Sequence, residues 1–278
     1  MSVYSGNCGS LTCITGNDDD PSCSSGVGAT SSTFTFNPSI TNPPSTEAER
    51  VFFYVKGAAN NYGEFTLIVD DISPLNDICS LAESIDVPFG GIASTSGTLL
   101  NASDFGAPVD CGTGVDNSDS GGVWYTFIGG NNRIFEISTC SDNTNVDTEI
   151  SVFASPCTSL TCVDGNDDDG SCTDGGGSTS SSFTFTSAEA VTRYYVYVKG
   201  NGGATGTFDI TIEDFNPEND LCENNIRLFP NGGSDSVTGT LDIFATTTGA
   251  FASCDSEVDN EDFGGIWYTF EGRMDHTY

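Results

Sequence analysis

The chain has 278 residues, with 7 Lys plus Arg against 40 Asp plus Glu, for a formal charge of −33. Hydrophobic residues make up 36% and aromatics 11%, a composition that builds a packed core rather than a disordered coil. Nucleic-acid binding needs clustered Lys and Arg, so the charge excludes it, and it argues equally against anionic membrane surfaces. No run reaches the roughly 18 apolar residues of a spanning helix, so membrane insertion is not expected. Cations, neutral polymers and basic partners stay open.

In chain order, the residues from Met1 to Ser5 lack the basic start and apolar core of a secretory leader. A fragment of a longer exported protein is the expectation. Strand patterns follow at Phe34–Phe36, Val51–Lys56 and Glu64–Val69. A short helical turn is predicted from Asp77 to Ala82, N-capped by Asp77. Further strands are predicted at Gly122–Phe127, Arg133–Ser138, Glu149–Ala154, Phe183–Phe185, Tyr194–Lys199 and Thr207–Ile212, and a second helical turn from Asp220 to Ile226. Both Glu64–Val69 and Thr207–Ile212 alternate with period two, the mark of a strand with one buried and one solvated face. Gly, Asn, Asp and Ser clusters between the strands are turn chemistry. About eight strands in roughly 140 residues read as an all-β, jelly-roll-like β-sandwich. Trp124, Tyr125 and Phe127 are expected in the core, with ligand stacking by Trp124 as the alternative.

The chain repeats itself. CGSLTCITGNDDDPSC from Cys8 returns as CTSLTCVDGNDDDGSC from Cys157, an offset of 149 residues. Tyr54-Val55-Lys56-Gly57 returns at Tyr197, Asn76-Asp77-Ile78-Cys79 at Asn219, and GGVWYTF from Gly121 at Gly264, all at an offset of 143. Such a period is domain-sized. The expected organisation is therefore the back half of one copy at 1–72, a complete copy at 76–215 and the front half of a third at 219–278. The two halves together make nearly one domain, so they are expected either to dock or to leave sheet edges prone to association.

The eleven cysteines form no CxxC pair, and the one histidine is His276, so structural zinc is not expected. A disulfide framework in an oxidising compartment is. Six cysteines fall in the complete copy. Of the fifteen pairings open to six cysteines, the one expected is Cys79–Cys111, Cys140–Cys172 and Cys157–Cys162, with Cys8–Cys13 and Cys222–Cys254 as counterparts and Cys23 left over.

The Asn-Asp-x-Cys opening, GGVWYTF, Ser138-Thr139-Cys140, Asp147-Thr148-x-Ile150-Ser151-Val152-Phe153, CTSLTC, GNDDD, Tyr194–Gly200 and Gly203–Phe208 occur in order. This set resembles bacterial pre-peptidase C-terminal (PPC-like) domains, above all the cysteine-rich versions strung along large secreted and surface proteins. The resemblance covers essentially the whole chain. It implies a non-catalytic β-sandwich appended to exported proteins, some of which bind calcium and some matrix polymers.

Gly165-Asn166-Asp167-Asp168-Asp169-Gly170 is the densest acidic cluster, and Gly16-Asn17-Asp18-Asp19-Asp20 repeats it. Adjacent carboxylates repel one another unless solvated or bound to a cation, and Ca²⁺ takes six to eight oxygens. Asp142, Asn145 and Asp147 precede the next strand and are expected to complete a Ca²⁺ shell with Asn166, Asp167, Asp168 and Asp169. The alternative is a solvated acidic turn. The repeated loop with Asn17, Asp18, Asp19 and Asp20 lacks a counterpart of Asp147 and is expected to bind more weakly. The loop is not an EF-hand, since residue 175 is Gly where that loop has Glu.

An enzyme is not expected. Ser-His-Asp and Cys-His chemistry need a positioned base, and the acidic pairs among 40 carboxylates are uninformative for glycoside hydrolysis. Asn101-Ala102-Ser103 is a glycosylation sequon only in an exported eukaryotic protein. The expected function is an extracellular or cell-surface repeat module, calcium-stabilised, adhering or tethering to a polysaccharide or protein and flanked by neighbouring repeats. The alternatives are an accessory domain of a secreted peptidase and a passive spacer.

Overall fold

The computed structural model describes residues 1–23, 30–36, 50–104, 106–118, 121–130, 132–188, 193–220, 222–230, 233–239 and 265–272. Residues 1–71 and 72–278 form separate compact units. His276, Cys254 and Gly264 lie outside the described residues.

In the first unit, β1 (Ser2–Asn7) and β2 (Ser10–Gly16) form an antiparallel hairpin, and β3 (Phe52–Tyr54) pairs with the free side of β1. Val3 is buried beneath this sheet. Phe34–Phe36, expected as a strand, is irregular, although Phe36 sits edge-on to Phe53 at 5.8 Å between centroids. Glu64–Val69 is also irregular, and every residue of it is exposed. A strand is stable only when its backbone groups are paired and one face is covered, and neither condition is met among the described residues of this unit.

The second unit contains the complete copy. Its four-stranded sheet has the order β10 (Ser182–Thr186), β7 (Ile134–Ser138), β12 (Thr207–Asp214), β5 (Ile92–Thr98). Its five-stranded sheet has the order β4 (Glu83–Ser84), β6 (Gly122–Ile128), β11 (Arg193–Gly200), β8 (Thr148–Ala154), β9 (Thr161–Asn166). Two further short strands, β13 (Ile226–Leu228) and β14 (Tyr268–Phe270), pair in parallel. The fold is a β-sandwich. Phe208, Ile210 and Ile212 of β12 point inward, as their alternation requires, and meet Val123, Tyr125, Phe127, Val152 and Val196 from the opposite sheet. Phe127, Phe135, Phe185 and Tyr194 pack ring against ring at 5.1–6.4 Å, in the tilted and offset geometries that aromatic quadrupoles favour.

The strands β6 and β8 are buried on both faces. Their outer face carries a second apolar cluster of Trp124, Phe153, Tyr197 and Cys111. Trp124 is fully buried, 4.8 Å from Tyr197 and 6.0 Å from Phe153 between ring centroids. Asn76 clamps the backbone of Trp124 from both sides: its carbonyl accepts from the Trp124 N–H at 2.8 Å, and its Nδ2 donates to the Trp124 carbonyl at 2.9 Å. Asn219 holds Trp267 in the same way, at 2.8 and 2.9 Å. The repeat seen in the sequence is therefore repeated in hydrogen bonds.

The helical turn is a 3-10 turn at Cys79–Leu81 capped by Ile78. Asp77 does not cap it, because its carboxylate accepts from Ser103 N and Oγ, each at 2.7 Å. The second turn covers Cys222–Asn224. Arg133 and Asp214 form a buried ion pair, with the guanidinium stacked between Phe89 and Phe135 at 4.2 and 4.8 Å. Asp214 also accepts from Gly90 N at 2.7 Å, so one carboxylate ties three segments of the complete copy together.

The disulfide wiring corrects the expected connectivity. Cys140–Cys172 forms, but Cys79 bonds Cys157 and Cys111 bonds Cys162. The reason is the β8–β9 hairpin. Cys162 lies within β9, opposite Phe153, while Cys157 lies in the connecting turn. The pair is close in sequence, but each sulfur meets a cysteine of a loop crossing the outer face. The same geometry separates Cys8, at the β1–β2 turn, from Cys13, which lies opposite Tyr4; both are exposed and unbridged. Cys222 is likewise unbridged, and it repeats Cys79, which does not bond the residue that Cys254 repeats. In the chain-entropy account each bridge contributes about 4 kcal/mol. Unreduced peptide mapping is expected to join Cys79 to Cys157, and the Cys79→Ser/Cys157→Ser variant is expected to lose about 4 kcal/mol in denaturant unfolding. A Cys79–Cys111 peptide would restore the rejected wiring.

Candidate metal centre

Three strands and one crossing loop bring the site together. β8 and β9 run antiparallel, with Ile150 opposite Asn166. The residue entering β8, Asp147, therefore lies beside the residues leaving β9, Asp167 and Asp168. Carboxylate oxygens of these three approach within 4.8 Å of one another. β11 runs on the other side of β8 and ends with Gly200 opposite Thr148, which places Asn201 at the same edge. Asn201 N donates to the Asp147 carbonyl at 3.0 Å, and its Nδ2 donates to Asp167 Oδ1 and Oδ2 at 3.4 and 3.3 Å. From the crossing loop, Thr113 O accepts from Asp167 N at 3.2 Å, and Ser181 Oγ donates to the Asp167 carbonyl. Gly114 has a positive φ of 82°, and a Cβ there would lie 3.1 Å from Asp167 Cβ. Only glycine takes this backbone at little cost.

Burial, followed by the neighbouring Asp168 and Glu149 charges, holds the Asp147 carboxyl above the usual carboxylate range. Burial, followed by Asp168 and Asp147, does the same to Asp167. Asp147 Oδ1 is buried and has no hydrogen-bond partner among the described residues. A buried carboxylate oxygen without a donor is costly unless a positive group meets it.

Beneath the cluster lies a pair that sequence reasoning missed. Lys199 Nζ donates to Glu149 Oε1 at 3.0 Å and to Gly200 O at 3.2 Å, and Asp116 N donates to Glu149 Oε2 at 2.7 Å. Both side chains are buried. Burial raises the Glu149 carboxyl, although Asp116 and Lys199 oppose it. The available signal was the repeated Tyr-Val-Lys-Gly at 54–57 and 197–200, in which a lysine interrupts an apolar strand.

The remaining expected ligands separate. Asp142 is exposed on the turn after β7 and does not join the three carboxylates. Asn166 braces the loop instead, its Nδ2 donating to Asp168 O and Ser182 O, both at 2.9 Å. Asp169 turns back on Ser171, accepting from its N and Oγ at 2.8 and 2.7 Å, and faces the Cys140–Cys172 bridge. In the first unit Asn17 Nδ2 donates to Thr33 O at 2.8 Å, and Asp20 accepts from Ser22 N and Oγ at 2.8 and 2.6 Å. Those hydrogen bonds hold Asp20 below the usual range. Asp18 and Asp19 gain no third carboxylate among the described residues.

The residues present suit a hard cation. The donor set is three carboxylates, which suits hard divalent cations such as Ca²⁺ or Mg²⁺ better than metals that prefer sulfur or imidazole. Lys199→Met is expected to cost about 3–5 kcal/mol in denaturant unfolding, because it strands Glu149 as a buried charge. Changing both members to apolar residues is expected to recover most of that loss. A loss in the double variant equal to the sum of the two single losses would show that the pair is not coupled.

No protein-family model matches the chain, and no curated protein matches it. Among solved structures the chain is similar to the pre-peptidase C-terminal domain of a collagenase from Bacillus anthracis. The two share 13% sequence identity with a TM-score of 0.30, over 48% of this chain and 94% of that chain.

Proposed function

We propose that the chain is a non-catalytic β-sandwich repeat module of an exported protein, stabilised by Ca²⁺ at Asp147, Asp167 and Asp168, that adheres or tethers to an extracellular polysaccharide or protein. The observation that carries this reading is the Asp147 carboxylate, which lies within reach of two further carboxylates and has one buried oxygen without a hydrogen-bond partner among the described residues. Three disulfides in residues 79–172 support an oxidising compartment. The PPC-like motifs described above support an accessory role beside other domains. The charge of −33 suits a soluble, extended array.

The linkage has a definite sign. Asp147 and Asp167 are raised in the folded state, so without cation stability falls as pH rises from the unfolded carboxylate value through their folded values. Above that window the full repulsion is present, and Ca²⁺ relieves it. Free Ca²⁺ at a hundred times its dissociation constant adds about 2.7 kcal/mol, which moves Tm by on the order of 8 °C for a domain of this size. This shift is expected at pH 7 in thermal unfolding and is expected to vanish below about pH 4 as the carboxylates protonate. Asp147→Asn is expected to stabilise the cation-free protein and abolish the Ca²⁺ shift. Neither heat nor thermal shift with millimolar Ca²⁺ would remove the site. Retention on insoluble polysaccharide and fibrous-protein matrices, lost with chelator, tests the tethering role; passage through every matrix would leave the spacer reading.

A further inference from the structure

A knot of buried hydroxyls joins the three carboxylates to a disulfide. Thr139, Thr148 and Ser181 are all fully buried. The Oγ1 atoms of Thr139 and Thr148 share a hydrogen bond at 2.6 Å, and Ser181 N donates to both oxygens, at 3.0 and 3.2 Å. Thr139 N in turn donates to the Ser181 carbonyl at 2.8 Å. Ser181 Oγ shares its proton between the Thr148 and Asp167 carbonyls. Each member of the knot adjoins a residue of interest: Thr139 precedes Cys140, Thr148 follows Asp147, and the Asp167 carbonyl leads into Asp168. Buried hydroxyls are costly unless bonded, and a fully bonded network is rigid.

The Cys140–Cys172 bridge closes the other end of the same loop. After Asp168, Asp169 N donates to Ser180 O at 2.8 Å and Cys172 N to Asp169 O at 3.0 Å, so the turn is built as one piece with Cys172. Asp168 therefore sits between anchors, with Asn166 and Ser181 on one side and the bridge on the other. An Asp169 carboxylate oxygen comes within 4.8 Å of both sulfurs. Opening the bridge replaces one bond by two thiols, whose sulfurs must separate to contact distance. Cys172 is buried, and a close-packed interior transmits such a shift rather than absorbing it. The hydrogen bonds of this turn occur again 149 residues earlier in the first unit, where Ser32 Oγ donates to Asp18 O, Asp20 N to Ser31 O at 2.9 Å and Cys23 N to Asp20 O at 3.1 Å. The turn is thus a repeated device.

We propose that the Cys140–Cys172 bridge sets the cation affinity of Asp147, Asp167 and Asp168, with Ser181 as the positioning residue that links bridge and site. The inference rests on the cation reading above and adds the regulation of that same site. With the bridge closed, Asp167 and Asp168 are held beside Asp147, and the cation meets three carboxylates already in place. With it open, Asp168 loses one anchor, and the cation must order the loop as it binds, which lowers its net affinity. The coupling is reciprocal: a cation that prefers the closed form makes the bridge harder to reduce by the same factor. The exchange is ordinary thiol chemistry. Two glutathione thiols supply two electrons, and their two protons pass to the Cys140 and Cys172 sulfurs, giving two protein thiols and one oxidised glutathione. A reducing compartment would leave the site slack, and oxidation would complete it.

The test uses the full-length chain. Ca²⁺ affinity is read by calorimetry on the oxidised wild type, on Cys140→Ser/Cys172→Ser and on Cys79→Ser/Cys157→Ser. The first double variant is expected to bind about tenfold more weakly. The second loses a bridge at the far end of the β8–β9 hairpin and is expected to stay within about twofold of the wild type. In glutathione redox buffers, isotope-coded alkylation and peptide mapping read the closed fraction of Cys140–Cys172. Saturating Ca²⁺ is expected to lower its midpoint potential by about 30 mV, the equivalent of a tenfold coupling, and Ser181→Ala to cut that shift by more than half. The potential is read on the wild type, so it decides the matter even where a variant fails to fold. Equal affinity in the oxidised wild type and in Cys140→Ser/Cys172→Ser overturns the proposal, as does a potential that Ca²⁺ leaves unmoved; the cation site survives either result. An oxidised wild type that binds no Ca²⁺ removes the site itself, and the proposal with it.

Discussion

The outer face of the five-stranded sheet must be covered, and the rest of the structure depends on that constraint. β6 and β8 are apolar on both faces, which in a sandwich leaves one face without a partner sheet. Trp124, Phe153 and Tyr197 on that face are buried by crossing loops rather than by strands. Loops have little regular hydrogen bonding of their own, so they are anchored by Cys79–Cys157, Cys111–Cys162 and the Asn76 clamp on Trp124. The same loops carry Thr113, Gly114 and Asp116 to the edge where β8, β9 and β11 end. Covering the tryptophan and desolvating the carboxylates are thus one structural act.

The electrostatics follow from that cover. Buried charges need partners, and the sheet edge supplies two kinds. Glu149 has Lys199 and a backbone N–H. Asp147, Asp167 and Asp168 have Asn201 and each other, and the balance there is negative. Hydrogen bonds from Ser171 and Ser22 settle the neighbouring Asp169 and Asp20 locally. An acidic run that looks uniform in the sequence therefore divides into carboxylates satisfied within their own turn and carboxylates that face a shared space.

The strands that alternate or run apolar were legible because period two and the burial of a face are the same physical fact. β12, β11, β6 and β8 stand close to where the residues placed them. Ser10–Gly16, Ile92–Thr98 and Thr161–Asn166 were not legible, being built of Ser, Thr, Gly and Asn that read equally well as turns. Glu64–Val69 reads as a strand because its side chains suit one, but a strand also needs neighbours. The disulfide connectivity was misread because counting cysteines treats proximity along the chain as proximity in space, whereas a hairpin sends Cys157 and Cys162 to different loops. Of the expected ligands, Asp147, Asp167 and Asp168 converge because β8 and β9 are antiparallel. Asp142 was chosen by nearness in sequence alone, and the β7–β8 turn carries it elsewhere.

The interlocked bridges also determine how the complete copy would respond to tension. Cys79–Cys157 spans 78 residues, and the other two bridges overlap it. A pull on the two ends passes across the sulfur–sulfur bond and bypasses the enclosed chain, which carries the Trp124 cover and Asp147. Only the stretches outside that loop can lengthen. A string of such units would act as a tether in which β9 to β12 can be drawn out while β4 to β8 stay shielded until a covalent bond breaks.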